Sequence, residues 1–211
     1  MGTKERRDRE REEIQTKILD AARELFASEG YEATTMRRIA ERIEYSPTAI
    51  YFHFRDKEAI LRAICDADFL ALAVRFRDIA QISDPIDRLK ATGFAYAEFG
   101  LTHPNHYRLM FMTPHPQHGP DDSTLEHGNP EEDAYAFLKA TIAAGLAQGR
   151  FRRELSDLEL LSQTVWAGVH GVVSLRIAKC NDAWVDWSAE SAAVALMIDS
   201  MVRGLTTATE E

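Results

Sequence analysis

Apolar residues recur three and four positions apart along almost the whole chain, the spacing of helices that bury one face. The first clear stripe contains Ile14, Ile18 and Leu25 and stops before Gly30, a residue suited to end a helix. The same pattern predicts these helices: 14–29, a short helix after Thr35, another opened by Ser46, 57–77, 85 to about 103, 103–111, 131–148, 156–179 and 188–207. No stretch predicts a strand, so the expected fold class is all-α.

The first three helices have the spacing of a helix-turn-helix unit. Two short helices are joined by about four residues, and the second opens with Ser46 as N-cap and Pro47 at the first helical position. In such a unit the second helix enters the DNA major groove. Tyr45, Ile50 and Phe54 have the spacing to face a small core. We therefore predict a DNA-binding domain over residues 1–60 and a helical effector-binding and dimerisation domain over 61–211.

The string GYEATTMRRIAERIEYSPTAIYFHFRDKEAIL, residues 30–61, resembles the DNA-binding segment of TetR-type (tetracycline-repressor-like) transcriptional regulators. The resemblance covers about residues 12–64. The positions that match the family pattern are Thr35, Ile39, Ala40, Ser46, Ile50, Tyr51, His53, Phe54, Lys57 and Ile60. Two positions where the family often has Gly differ. Glu44 places a side chain at a turn where a left-handed backbone is expected, and Thr48 adds a methyl and a hydroxyl at a base-reading position.

The resemblance implies a set of DNA-contacting residues. Phosphate contacts are expected from Thr35, Tyr51, His53 and Lys57, and base contacts from Ser46, Pro47, Thr48 and Ala49. Arg37 is included among the DNA contacts, and the alternative for the neighbouring pair Arg37 and Arg38 is that one of them is an ordinary solvated helix charge. Thr35 and Lys57 stand at helix N-termini, where backbone N–H groups favour an anion. The competing interpretation is that Tyr51 and His53 only pack between helices.

The rest of the chain is expected to sense a ligand and to form a homodimer. HPNHYRLMF and WAGVHGVVSL resemble a C-terminal domain of one TetR subgroup, marked by Trp166, His170 and Gly171. Candidate residues for binding a small apolar or aromatic effector are Phe99, Tyr107, Met110, Phe137, Trp166 and His170. A plain hydrophobic core would explain most of them equally well. The family resemblance implies dimerisation through the last two helices, where Leu196 and Val202 are apolar.

Charge restricts where DNA could bind. The first 64 residues carry 13 Lys or Arg and 13 Asp or Glu, so the net charge of −9 lies entirely in the rest of the chain. Only the N-terminal third can therefore meet a phosphate backbone. The segment KERRDREREE, residues 4–13, could be a basic arm reaching into the minor groove. Its mixed charges fit solvated i,i+4 pairs or disorder better.

A group of histidines supports the alternative function. His103, His106, His115, His118 and His127 could make the protein a metal sensor or an all-α metal-dependent enzyme, because imidazole binds zinc, copper and nickel. Their spacing is not that of a structural metal site. Four prolines and two glycines make residues 113–130 a long loop, which could serve as a ligand entrance. No catalytic motif was found, so neither an enzyme nor a cofactor is predicted.

The remaining features indicate a cytoplasmic protein. Cys65 and Cys180 lie in apolar helical patterns and are expected to be buried small hydrophobes rather than a disulfide. No apolar run approaches the ~20 residues needed to cross a bilayer, and the N-terminus has no secretory apolar segment. The expected partners are an inverted-repeat DNA operator, a small-molecule effector and a second copy of the chain, with no membrane.

Overall fold

The computed structural model describes residues 3–113 and 123–207. Within these ranges the chain forms helices, and the only β-type pairing is an isolated bridge between Phe151 and Thr206. The helices are α1 (Thr3–Glu29), α2 (Met36–Arg42), α3 (Pro47–Tyr51), α4 (Lys57–Ile79), α5 (Pro85–Thr102), α6 (Pro104–Phe111), α7 (Ala134–Ala147), α8 (Leu158–Lys179) and α9 (Glu190–Leu205). The all-α prediction is confirmed.

The described residues divide into two compact units, and the division falls inside α4. The first unit contains 3–68 together with 105–113 and 123–124, and the second contains 69–104 together with 125–207. The boundary near residue 60 stays a prediction.

Local sequence signals explain the helix ends of the first unit. Gly30 follows α1 with a φ of 88°, which a residue without a Cβ adopts readily. Thr35 caps α2 by accepting a hydrogen bond from the Arg38 amide, and Ser46 caps α3 by accepting one from the Ala49 amide. Glu44, in the turn between α2 and α3, has a φ of 60°. The expectation of a left-handed backbone at Glu44 is confirmed.

The first unit has a compact apolar core. Helices as short as α2 and α3 are marginal alone, so they depend on burying side chains against their neighbours. The core side chains with no exposed surface include Ile18 and Ala22 on α1, Ile39 and Ala40 on α2, Ile50 on α3, Ile60 and Ile64 on α4, and Tyr107 on α6. Tyr45, expected to face this core with Ile50, is instead 37% exposed because it lies in the turn before α3.

The second unit packs α5, α7, α8 and α9 together with the second half of α4. Carboxylates cap three of its helices: Asp84 on α5, Asp133 on α7 and Asp157 on α8. Close helix approach is visible at Gly93, where an added Cβ would lie 3.1 Å from Ile198 Cδ1 on α9. The packing is tight enough that these helices form one core.

Two sequence expectations are corrected. The first helix begins at Thr3 rather than near residue 14, and in its N-terminal turns Arg6 Nε donates to Glu10 Oε1 at 2.8 Å. Such i,i+4 pairs favour helix even where no apolar face is present. Cys180 is exposed because it follows the end of α8, whereas Cys65 is buried as expected. Burial raises the pKa of the Cys65 thiol to about 12.

Candidate nucleic-acid interface and effector site

The helix α3 is anchored on one side and open on the other. Ile50 is fully buried, whereas Tyr51 is 55% exposed. Thr48 is exposed and Ala49 is half-buried. Ser46 and Pro47 are also exposed, although the Ser46 hydroxyl already accepts the hydrogen bond that caps the helix. Ile50 therefore anchors α3 to the core, and the side chains predicted to read bases lie on the accessible part of this helix.

His53 lies just after α3 and is half-buried. Its Nδ1 is buried and has no hydrogen-bond partner among the described residues. Burial lowers the pKa of His53, and the nearby positive charge of Arg11 lowers this pKa further. The imidazole is therefore neutral in the free protein at pH 7, and a phosphate beside it would favour the protonated form.

Lys57 has a role that the sequence did not predict. Its Nζ donates to the carbonyl of Tyr31 at 2.7 Å and to that of Glu32 at 3.4 Å, and it lies 4.2 Å from the centroid of the Tyr31 ring. Burial, followed by the charge of Glu58, raises the pKa of Tyr31 to about 12. These contacts of Lys57 connect the start of α4 to the turn between α1 and α2.

The two remaining phosphate candidates lie on the outer side of α2. Thr35 is exposed at its N-cap. The Arg37 side chain is 81% exposed, and its Nε donates to Glu41 Oε1 at 2.9 Å. Arg38 is paired with Glu29 at 3.0 Å. An exposed pair such as Arg37–Glu41 is weak, so a phosphate could replace Glu41 at little cost.

In the second unit, the side chains of Trp166 and His170 both contact the hydroxyl group of Tyr96. Trp166 Nε1 donates to Tyr96 Oη at 3.0 Å, and Tyr96 Oη lies 3.2 Å from His170 Nδ1. The indole N–H can only donate, so the Tyr96 hydroxyl accepts from Trp166 and shares a hydrogen bond with His170 Nδ1. Burial lowers the pKa of His170, which agrees with a neutral ring. We call these three residues the aromatic cluster.

The other four candidate effector residues are buried and are divided between the two units. Phe99 and Phe137 belong to the second unit and are 3% and 7% exposed. Phe137 packs on Phe76 with ring centroids 5.2 Å apart. Tyr107 and Met110 are buried on α6 and belong to the first unit. The structure therefore brings together two of the six candidates and places the other four in buried positions.

The described histidines have other contacts. The His103 ring stacks on Phe99 at 5.3 Å, His106 Nδ1 lies 3.0 Å from Asp68 Oδ1, and His127 is exposed. His115 and His118 lie outside the described residues. Among the residues that the structure does describe, no group of three or more His, Cys, Asp or Glu side chains could hold a metal ion.

Comparison with protein families decides the identity. A family model described as "Bacterial regulatory proteins, tetR family" matches residues 18–64. A second, described as "Tetracyclin repressor-like, C-terminal domain", matches residues 89–204, which is more than half of the chain. The chain belongs to the TetR family. TetR-family proteins are helix-turn-helix transcriptional regulators.

Individual relatives agree with the TetR assignment. The HTH-type transcriptional regulator Mb1846 of Mycobacterium bovis is 28% identical over 194 residues, covering 79% of this chain and 82% of that protein. The regulator UidR of Escherichia coli is 38% identical over 69 residues, so the match spans only 35% of the length of UidR. The TetR-family regulator PfmR of Thermus thermophilus has a TM-score of 0.64 at 24% identity, covering 88% of this chain and 97% of PfmR.

The fatty acid degradation regulator FadR of Bacillus halodurans has a TM-score of 0.70 at 18% identity, with coverage of 90% of this chain and 95% of FadR. At these identities PfmR and FadR show a shared fold alone. The subgroup marked by Trp166, His170 and Gly171 stays a prediction. Within the described ranges, no helix combines the length and apolar character that crossing a bilayer requires.

Two buried carboxylates were missed by the TetR sequence pattern. Asp68 on α4 accepts a hydrogen bond from Arg23 Nη2 of α1 at 2.8 Å and also contacts His106 of α6. Asp66 accepts hydrogen bonds from the amide and hydroxyl of Thr124 at 2.8 and 2.9 Å. The sequence contains a signal for both carboxylates. Two acidic residues interrupt the otherwise apolar run AICDADFLAL, and acidic side chains at such positions require buried partners.

Proposed function

We propose that the protein is a ligand-responsive transcriptional repressor that binds an inverted-repeat operator as a homodimer and is released by a small apolar or aromatic molecule. The observation that carries the proposal is the helix α3, which Ile50 fixes to the core while Thr48 and Tyr51 remain exposed. A helix held in this way can enter a major groove without rearrangement. Such a role would place the protein with the chromosome, in the cytoplasm.

The geometry of DNA supports a dimer, because two recognition helices must reach major grooves about 34 Å apart. Large apolar side chains are exposed on the last two helices: Leu160 at 61%, Leu175 at 56% and Leu196 at 68%. Val202, also considered for the interface, is 4% exposed and belongs to the core of the protomer. We propose that a second copy of the chain covers Leu175 and Leu196, forming a four-helix bundle from α8 and α9 of both copies.

The aromatic cluster is the proposed effector site. Trp166 is 38% exposed, so its ring can stack on an aromatic or apolar ligand. The neutral His170 and the Tyr96 hydroxyl supply a small number of polar groups that would orient such a ligand. Tyr135, whose ring centroid lies 5.8 Å from that of Trp166, adds a further aromatic surface.

A route for the response lies inside the first unit. Helix α6 carries Tyr107 and Met110, and its His106 contacts Asp68, which in turn holds Arg23 of α1. A displacement of α6 would therefore act on α1, which packs against α2. An effector that binds better to the arrangement with unsuitably spaced recognition helices would shift the population away from DNA.

A matched pair of tyrosine variants tests DNA binding. Fluorescence anisotropy would measure binding of the full chain to a labelled random-sequence duplex. Tyr51→Phe should weaken binding about tenfold by removing a hydrogen bond to a phosphate. Tyr45→Phe removes the same hydroxyl from the 37% exposed residue before α3 and should leave binding unchanged. Equal affinities for both variants and the unmodified protein would remove α3 from the interface.

A matched pair of tryptophan variants tests the effector site. A panel of apolar and aromatic molecules would be screened for release of the labelled duplex. Trp166→Phe should change the concentration needed for release while leaving the affinity for the duplex unaltered. Trp184→Phe makes the same replacement at an 82% exposed residue outside the cluster and should leave the response intact. If Trp166→Phe only lowers thermal stability, Trp166 is part of the core and the cluster is not the site.

A further inference from the structure

The N-terminal part of α1 extends beyond the segment that matches the TetR family. The helix begins at Thr3, whereas the match to the family model begins at residue 18. Residues 3–17 therefore form a helical extension of about four turns at 3.6 residues per turn.

One face of the extension is basic. Lys4, Arg7 and Arg11 are spaced by three and four residues, so their side chains share a face of the helix. Continued along α1 with the same spacing, this face becomes the buried stripe that includes Ile18 and Leu25. Glu5, Glu12 and Glu13 fall on other faces, and Asp8 lies at the edge of the basic one. We call Lys4, Arg7 and Arg11 the basic face.

The basic face differs from the rest of the helix in its ion pairs. On another side of the helix Arg6 is paired with Glu10 at 2.8 Å. Lys4, Arg7 and Arg11 are exposed and form no ion pair among the described residues. Three unpaired cations on one face, in a chain with a net charge of −9, indicate a surface that attracts a polyanion.

The Arg11 end of the basic face lies near His53, the residue two positions after α3 ends. The charge of Arg11 acts on the imidazole of His53, which follows α3 and is a candidate phosphate contact. From Lys4 to Arg11 the helix rises roughly 10 Å at 1.5 Å per residue. One DNA strand carries a phosphate about every 3.4 Å of duplex axis, so the face spans about three phosphates.

We propose that Lys4, Arg7 and Arg11 bind the DNA backbone beside the half-site that α3 enters. This inference rests on the proposed function, because it assigns an additional contact surface to the same operator complex. Since phosphates carry no sequence information, these contacts add affinity and salt dependence but do not change which bases are preferred.

The test compares two triple variants of the full chain. The first is Lys4→Ala, Arg7→Ala and Arg11→Ala. The control is Arg6→Ala, Arg9→Ala and Lys17→Ala, which removes the same charge from the other sides of α1. Alanine preserves helix propensity in both, and circular dichroism checks that both remain folded. Anisotropy with a labelled random-sequence duplex gives the affinity between about 50 and 200 mM salt.

The slope of log affinity against log salt should become shallower by about 0.9 per lost contact, hence by up to about 2.7 for the basic-face variant. The control variant should keep the slope of the unmodified protein. Equal slopes for the two variants would overturn the inference and leave the proposed function standing. Failure of the unmodified protein to bind duplex would overturn both. Should the triple variant lose helix, the three single variants carry the same test, at about 0.9 each.

Discussion

We expect replacement of the buried Asp68 to cause a large loss of stability. Its side chain is 6% exposed, and Oδ1 accepts a hydrogen bond from Arg23 Nη2 at 2.8 Å while lying 3.0 Å from His106 Nδ1. The substitution Asp68→Asn keeps the shape of the side chain and removes its charge. It therefore removes the closer of the two charged partners of the Arg23 guanidinium, which is itself 20% exposed, and leaves only the pair with Asp20 at 3.5 Å.

The size of the loss follows from burial and geometry. Removing one partner of a buried ion pair costs about 3–5 kcal/mol. Asparagine retains a weaker neutral hydrogen bond to Arg23, and Asp68 Oδ2 has no partner among the described residues, so only one oxygen is used. We expect a loss of about 2–3 kcal/mol, since a hydrogen bond to a charged group contributes about 1.5–3 kcal/mol. For a protein of this size that lowers Tm by roughly 4–12 °C.

The assay is urea and thermal unfolding followed by circular dichroism. The control is Glu41→Gln, which also removes one charge, but from an exposed pair whose Arg37 and Glu41 side chains are 81% and 50% exposed. Such a pair should contribute less than about 1 kcal/mol. A loss for Asp68→Asn no larger than that for Glu41→Gln would refute the reasoning that burial makes this carboxylate important.

The pH dependence of binding, the assembly of the protein and the turn before α3 can each be tested. The pKa of His53 is lowered in the free protein, and a phosphate would raise it, so duplex affinity should increase from about pH 8 to pH 6. The variant His53→Asn should lose this pH dependence when binding is measured by anisotropy. An unchanged pH dependence would exclude His53 as a phosphate contact. Leu196→Arg should give monomers by sedimentation. The control Met112→Arg, at a 41% exposed residue of the first unit, should leave the dimer intact. Dimers in both variants would show that another surface forms the dimer interface. Glu44→Gly should raise stability by about 1 kcal/mol, because an L-residue at φ 60° is strained; an unchanged urea midpoint would contradict this.

The helix-turn-helix unit could be predicted from the sequence because its signals are local. The Ser46 cap, Pro47 at the first helical position and Gly30 after α1 each act within a few residues of the turn they form. Even the backbone conformation of Glu44 could be anticipated, since the turn requires it whichever residue is present. Local chemistry therefore specifies where α2 and α3 begin and how α3 is oriented.

The missed features depend on distant residues or on competing charges. Asp68 and Arg23 are 45 positions apart, and no periodicity indicates which arginine a buried carboxylate will meet. Tyr96 and Trp166 are 70 positions apart, so the aromatic cluster was visible only as separate apolar residues. The start of α1 was missed because its basic face replaces an apolar stripe. Hydrophobic spacing alone cannot report a helix that is charged all round.

Selection of the purified full chain against a library of random duplex DNA tests the central claim most directly. A dimer with α3 in the major groove should enrich an inverted repeat, with half-sites separated by one helical turn, about 10 base pairs, or a multiple of it. Binding to the enriched duplex should weaken steeply with salt. No enrichment, or enrichment of a single asymmetric site that Leu196→Arg monomers bind equally well, would contradict it.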